Sequence, residues 1–368
     1  MEIYYTIHIL LFLCCFLYKK NQQIQKTILK FWIVFITLFG GLRWNVGTDW
    51  DSYLYFFYDI NFDTIFKYER HDGADTMEPL FSVLNLLVRT FFQKFFILNI
   101  LEVLIVQIAY YKFSTYHFPK IPLLCYSFMM VVFPAYFPVR STLALAISLF
   151  SFRFIKERRI LPFLALTLIA YFIHQKSIVL LPMYWIGKCH FKGWFLFSCF
   201  ICFFVMSKIF QSYFISISLL LGGSVGEKAL HYTGYQTVEK ILPYTTLLLN
   251  GLFLSLYLYF RKVNKLYNDD WYNALLNLFL MYCGIIFIFS NGMSDLVRLI
   301  GNFFPAHCIL FVSCFEWSNR INNKLLSACI VTFFFAYYLY RIPQCFSDVF
   351  FMFECVPYKT IFDYSVIQ

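Results

Sequence analysis

Five short stretches place ionisable side chains where apolar segments end. Arg43 and Asp49 frame the run Arg43-Trp44-Asn45-Val46-Gly47-Thr48-Asp49-Trp50-Asp51-Ser52-Tyr53, directly after an apolar segment. Glu78 precedes Pro79 and an apolar helix. Arg140 follows two prolines and opens a helix with small residues at 141, 142, 144 and 146. His174 and Lys176 lie in Ile173-His174-Gln175-Lys176-Ser177. Asp295 and Arg298 stand three apart near the end of the chain. Arginine is permanently charged, and its planar fork matches phosphate oxygens. A carboxylate or imidazole within reach of a hydroxyl can act as a general base. Together these types suit chemistry on an anion with more than one charge, and a diphosphate on a lipid carrier fits both charge and depth.

Each stretch also has a plainer explanation. Arg43 can snorkel at a helix end, with Thr48 or Asp49 capping the next helix. Glu78 can compensate a helix dipole, with Pro79 at the first helical position. Asp295 and Arg298 share a helix face and can pair with each other. Arg140 has no neutralising residue nearby in sequence and shares the sign of its helix N-terminus, which favours an anion there. A histidine at a helix end is commonly structural, but His174 can also hold a phosphate or relay a proton. Trp44, Trp50 and Tyr53 offer faces for sugar rings.

The elements that must carry these residues are membrane helices. Of 368 residues 61% are hydrophobic and 14% charged, against roughly a half and a quarter in a soluble domain. Apolar stretches approach the roughly 20 residues that cross a bilayer. They are continuous rather than alternating, which excludes a transmembrane β-barrel. The net charge of +10 lies in short loops that set orientation, so no nucleic-acid partner is expected. The 12 cysteines lack zinc spacing and read as small apolar residues; no metal and no cofactor is expected. The apolar N-terminus reads as a retained first helix rather than a cleaved signal.

Spans are expected at about 3–18, 28–42, 95–111, 121–138, 141–155, 160–173, 177–187, 193–210, 242–260, 271–290, 297–315 and 325–340. This is an all-α polytopic membrane protein of about 12 transmembrane helices, a single transmembrane domain over 1–368. The segment 177–187 is short enough to be re-entrant. With 78–92 half-buried rather than crossing, every basic loop falls on one side (Lys19 to Lys26, Lys112 and Lys120, Lys156 to Arg159, Lys188 and Lys192, Arg261 to Lys265, Arg320 and Lys324). That side is cytoplasmic by the positive-inside rule. Segments 43–77 and 211–241 then face outward as periplasmic segments, with Arg43, Arg140, His174 and Arg298 at the same depth.

The order of these motifs resembles the EpsG/Wzy-like polysaccharide polymerase family. Arg43 through Val46-Gly47-Thr48-Asp49 to Tyr53, then Glu78-Pro79-Leu80-Phe81, Arg140 before small residues, His174 and Ser177, and Asp295 with Arg298 follow its pattern over about 40–315. Ser141 stands where glutamine is frequent, and Trp50 where tyrosine is common. The resemblance implies a GT-C-like membrane glycosyltransferase architecture. It implies polymerisation of O-antigen, capsule or exopolysaccharide repeat units, carried as polyprenyl-diphosphate-linked oligosaccharides on the periplasmic face of a bacterial inner membrane. A chain-length regulator protein is then a candidate partner. In that setting Asp49, Glu78 and His174 are the candidate catalytic residues. Arg43, Arg140, Lys176, Arg298, Asp295, Trp44, Trp50 and Tyr53 are the candidates for binding diphosphate and sugar. A flippase, an O-antigen ligase and a membrane O-acyltransferase are the alternatives. The one-sided charges and the absence of related halves weigh against the flippase.

Overall fold

The computed structural model describes residues 2–17, 21–47, 49–65, 77–132, 137, 140–221, 244–289, 300–346 and 357–364. Among these residues the structure is helical, with one isolated β-bridge. In chain order the helices are α1 (Glu2–Leu17), α2 (Gln22–Gly41), α3 (Trp50–Asp59), α4 (Pro79–Phe92), α5 (Phe95–His117), α6 (Pro122–Val132), α7 (Arg140–Lys156) and α8 (Ile160–Ile173). They continue as α9 (Met183–Ile186), α10 (Gly193–Leu221), α11 (Tyr244–Val263), α12 (Asp270–Phe289), α13 (Ile300–Arg320), α14 (Lys324–Phe346) and α15 (Ile361–Tyr364). Among the described residues α2, α5 and α12 are long and apolar enough to cross a membrane. Helices α1, α4, α8, α10 and α14 carry shorter apolar stretches. This is a membrane protein.

The helices form two compact units, Met1–Ile178 with Ser318–Gln368, and Val179–Trp317. In the first, α2 and α5 run antiparallel and close together. A Cβ on Gly41 would lie 2.7 Å from the Ile100 backbone, so glycine is what permits this approach. Helices α7 and α8 form a hairpin. Arg158 takes a left-handed conformation (φ 57°), and Arg159 N–H donates to the Phe154 carbonyl, closing α7 with a Schellman turn. The hairpin brings Arg140 and His174 to one end although they lie 34 positions apart in sequence. At the opposite end Gln22 donates to the Pro119 carbonyl, and Tyr116 meets Glu157. The basic loops of this unit therefore gather away from Arg140.

Helix α4 begins at Glu78, beside Arg140. Just past its end, Phe95 packs on Trp50, whose ring faces Arg43. Both ends of α4 thus lie at the Arg43 end of the unit. The span expected over 177–187 takes another form: a 3-10 turn (Gln175–Leu180) followed by the single turn of α9. Pro182 lies between them, and a proline cannot continue the amide ladder.

In the second unit, Arg261 donates to the Phe191 carbonyl and to Asn273 Oδ1. His190 Nε2 meets Asp270 at 2.8 Å. The basic loops 188–192 and 261–270 therefore meet here as well. Its interior surrounds the fully buried His307 with Phe253, Tyr257, Phe279, Tyr282 and Phe304.

Candidate active site

Glu78 caps α4 in extended conformation, and its side chain makes no capping bond to that helix. Dipole compensation is therefore not where its hydrogen bonds go. One carboxylate oxygen pairs with Arg140 Nη1. The other meets His174 Nδ1 at 2.9 Å and accepts the Gln175 backbone N–H at 3.3 Å. Arg140 had no neighbour in sequence to neutralise it; the fold supplies one from 62 residues away. The helix N-terminus of α7 thus carries a buried ion pair rather than a bare cation.

Burial pushes the Glu78 carboxyl up. The His174 hydrogen bond and the charges of Arg140 and His174 more than offset this, and its pKa falls to about 2. A carboxylate held that low is a weak proton acceptor near neutral pH. It accepts hydrogen bonds only, so the proton shared with His174 sits on Nδ1. In the uncharged ring that tautomer leaves the Nε2 lone pair as proton acceptor, the arrangement by which a carboxylate fixes the tautomer of a catalytic histidine.

Arg140 Nε donates to the Tyr53 hydroxyl at 3.3 Å, and the guanidinium lies 5.9 Å from the centre of that ring. Five N–H donors are available. Glu78 and Tyr53 take two, and among the described residues the others make no bond. Arg140 is buried to 8% exposure, so its remaining donors act where water screens little.

Arg43 has turned inward. Its Nη1 donates to the Gly40 carbonyl at 3.2 Å, and its guanidinium lies 5.6 Å from the Trp50 ring and 5.2 Å from the Phe137 ring. It satisfies a carbonyl that the end of α2 leaves open and complements the helix dipole there. Trp50 is buried against Trp44 and Phe95, a packing position rather than a face open to a sugar. Tyr53, one helical turn further along α3, reaches Arg140. Asp49 occupies the N-cap position of α3 in a left-handed conformation (φ 61°), without a side-chain capping bond. The turn before it holds Gly47 at φ 109°, a conformation that glycine adopts without strain. Lys176 lies half-buried in the 3-10 turn after His174. Asp295 and Arg298 lie outside the described residues.

Two participants escaped sequence reasoning. Glu102, buried in α5, interacts electrostatically with Arg43; a lone carboxylate inside an apolar span was the available signal. The other is the chain's C-terminal segment. Trp44 N–H donates to the Lys359 carbonyl and Ile361 N–H to the Leu42 carbonyl, making Arg43 and Thr360 an antiparallel bridge pair.

A family model described as the EpsG family matches residues 26–360. No curated protein matches the chain, and no solved structure does.

Proposed function

The chain belongs to the EpsG family, the family of Wzy-like polysaccharide polymerases, and on that premise we propose that it joins polyprenyl-diphosphate-linked oligosaccharide repeat units into O-antigen, capsule or exopolysaccharide. The reaction takes place at the outer face of a bacterial inner membrane. A hydroxyl of one lipid-linked unit attacks the anomeric carbon at the end of a growing chain. The bond from that carbon to the diphosphate oxygen breaks, and polyprenyl diphosphate leaves.

The observation that supports this reading is the Glu78–Arg140–His174 cluster at the adjoining ends of α4, α7 and α8. The uncommitted donors of Arg140 stabilise charge developing on the leaving diphosphate. His174 takes the proton of the attacking hydroxyl at Nε2. Glu78 holds His174 in the required tautomer and keeps Arg140 in place. Tyr53 steadies the same guanidinium, and Lys176 adds charge beside the phosphates. Arg43, Trp44 and Trp50 form the scaffold of the neighbouring turn. Asp49, at the N-cap of α3, is assigned to substrate, and Asp295 and Arg298 keep the substrate-binding role that the family resemblance implies.

Deletion of the gene tests the function. The long-chain polysaccharide ladder should disappear while single repeat units persist on the surface acceptor. Loss of both would indicate a flippase. Unlinked polymer of normal length would indicate a ligase, and normal chains with altered acetylation an acyltransferase. Arg140→Ala should reproduce the deletion at matched membrane levels, and Arg140→Lys should restore part of the activity, because lysine keeps charge without the planar fork. The expected loss for one charge-assisted contact is roughly 2–4 kcal/mol of barrier, or ~30- to 1,000-fold in rate. His174→Ala should fall in the range of a lost general base, about 10²- to 10⁴-fold. Full chain length in both variants would remove the mechanism.

A further inference from the structure

Residues 357–364 end the described chain, yet they pair with its first long turn. Two backbone hydrogen bonds join them, Trp44 N–H to Lys359 at 3.0 Å and Ile361 N–H to Leu42 at 2.9 Å. The Tyr358 hydroxyl donates to the Phe39 carbonyl. Its ring stacks on Phe39, with centroids 4.3 Å apart and planes within 9°. The segment is stiffened from within. Thr360 gives both its backbone N–H and its hydroxyl to Asp363, and its Oγ1 accepts the Phe362 N–H. Thr360 thus caps α15 through the second helical N–H, and Asp363 returns to the Thr360 backbone N–H as the acidic residue of a capping box does.

The contacts have a common physical cause. The end of α2 leaves carbonyls without helical partners. Arg43 takes Gly40, Tyr358 takes Phe39, and Ile361 takes Leu42 just beyond. Burial raises the Tyr358 phenol to about 12 against the smaller opposing effect of Arg43, so it stays protonated and keeps donating. From here a chain of contacts runs to the site. The Trp44 ring stands edge-on to Trp50 at 5.7 Å, Trp50 opens α3, and Tyr53 on the next turn holds Arg140.

We propose that Pro357–Tyr364 is a strap in which Tyr358, Thr360 and Ile361 are positioning residues, holding the turn from Arg43 to Tyr53 and through it the Arg140 guanidinium. The link to polymerisation rests on the function proposed above; the seating of the strap does not.

The test uses the full-length chain in a cysteine-to-serine background that retains polymer synthesis. Leu42→Cys with Ile361→Cys should form a disulfide on mild oxidation, because the 2.9 Å hydrogen bond from Ile361 N–H to the Leu42 carbonyl brings the two backbones within bridging reach. Tyr358→Ala should shorten or abolish the polymer, a loss of roughly ten- to a hundred-fold for a displaced site, at unchanged membrane levels. Tyr358→Phe keeps the stacked ring and should retain most synthesis. Ile361→Pro removes one strap hydrogen bond while fitting the first position of α15, and should lower synthesis as well. Oxidising the cysteine pair in the Tyr358→Ala chain should restore polymer length, and reductant should reverse the rescue. Absence of the cross-link, or wild-type polymer from both Tyr358→Ala and Ile361→Pro, would overturn the strap. A cross-link that restores protein level but not polymer would overturn its positioning role. Gene deletion runs alongside: unchanged polymer there defeats the polymerase reading, while cross-link yield still decides the strap.

Discussion

Glu78 is the residue on which the others at the site depend, and its charge can be read from outside by pH. Its folded pKa is about 2, below the ordinary 4.5. The stability it contributes is therefore complete above the ordinary value and is lost as pH falls from there toward 2. A displacement of that size corresponds to about 3 kcal/mol. Glu78→Gln removes the charge and leaves Arg140 buried without its counter-ion, a costly arrangement. Detergent-solubilised Glu78→Gln protein should melt well below wild type at pH 7, and the gap should narrow at pH 3; a gap of the same size at both would mean that ionised Glu78 is not what holds the pair. Sequence alone picked out Glu78, Arg140 and His174 by type and by their places at segment ends. It could not pair them, because 62 and 96 residues separate Glu78 from its partners. Nor could it tell an aromatic face from a core ring. Trp50 carries the same letter either way, and only the folded chain shows it packed against Phe95.

Helices set how finely these residues are held. Gly41 lies two residues before Arg43, and a Cβ there would stand 2.5 Å from Ile100 Cγ1 as well as 2.7 Å from its Cα. A backbone atom cannot swing aside, so Gly41→Val must push α2 off α5. We expect a loss of roughly 1–3 kcal/mol, the usual cost of overpacking, with polymer synthesis falling as the end of α2 shifts. Thermal melting followed by size-exclusion chromatography measures the first effect; an unchanged melting point would show that α2 and α5 tolerate separation there. Hydropathy made most helices legible, since an apolar run of the right length is its own signal. The 3-10 turn at Gln175–Leu180 was less so, because Pro182 marks a break without giving its geometry. The four-residue α15 is too short for any periodic pattern to reveal, and the bonds between Thr360 and Asp363 mark it only in the folded chain.

At the scale of the whole first unit, charge is sorted by end among the described residues. In the first unit the basic loops meet at Pro119 and Glu157, while Arg43, Glu78, Arg140 and His174 gather at the other end. Cysteines introduced at Asp51 and Asp59, in a cysteine-free background, should react with membrane-impermeant reagent in spheroplasts. One at Arg158 should react only after lysis. Labelling of Asp51 from the cytoplasm alone would invert the orientation and put the site on the wrong side for lipid-linked units. The sorting was legible because loop charge is a property of composition. The meeting of residues 39–44 with 358–361 was not, because hydrogen bonds between backbones leave no trace in residue type.

That meeting also sets an order of events during synthesis. Helix α2 and the Arg43 turn leave the ribosome first, whereas Tyr358 follows Phe39 by 319 positions. Until Tyr358 and Ile361 arrive, the carbonyls of Phe39 and Leu42 must find water or lipid headgroups instead. A nascent chain arrested before residue 357 would thus hold every helix of the candidate site without its fastening, and a cysteine at Leu42 should label faster in that chain than in the released one. The Arg43 turn is thus fastened only after Tyr358 and Ile361 have emerged, so the candidate site is completed after the helices that carry it.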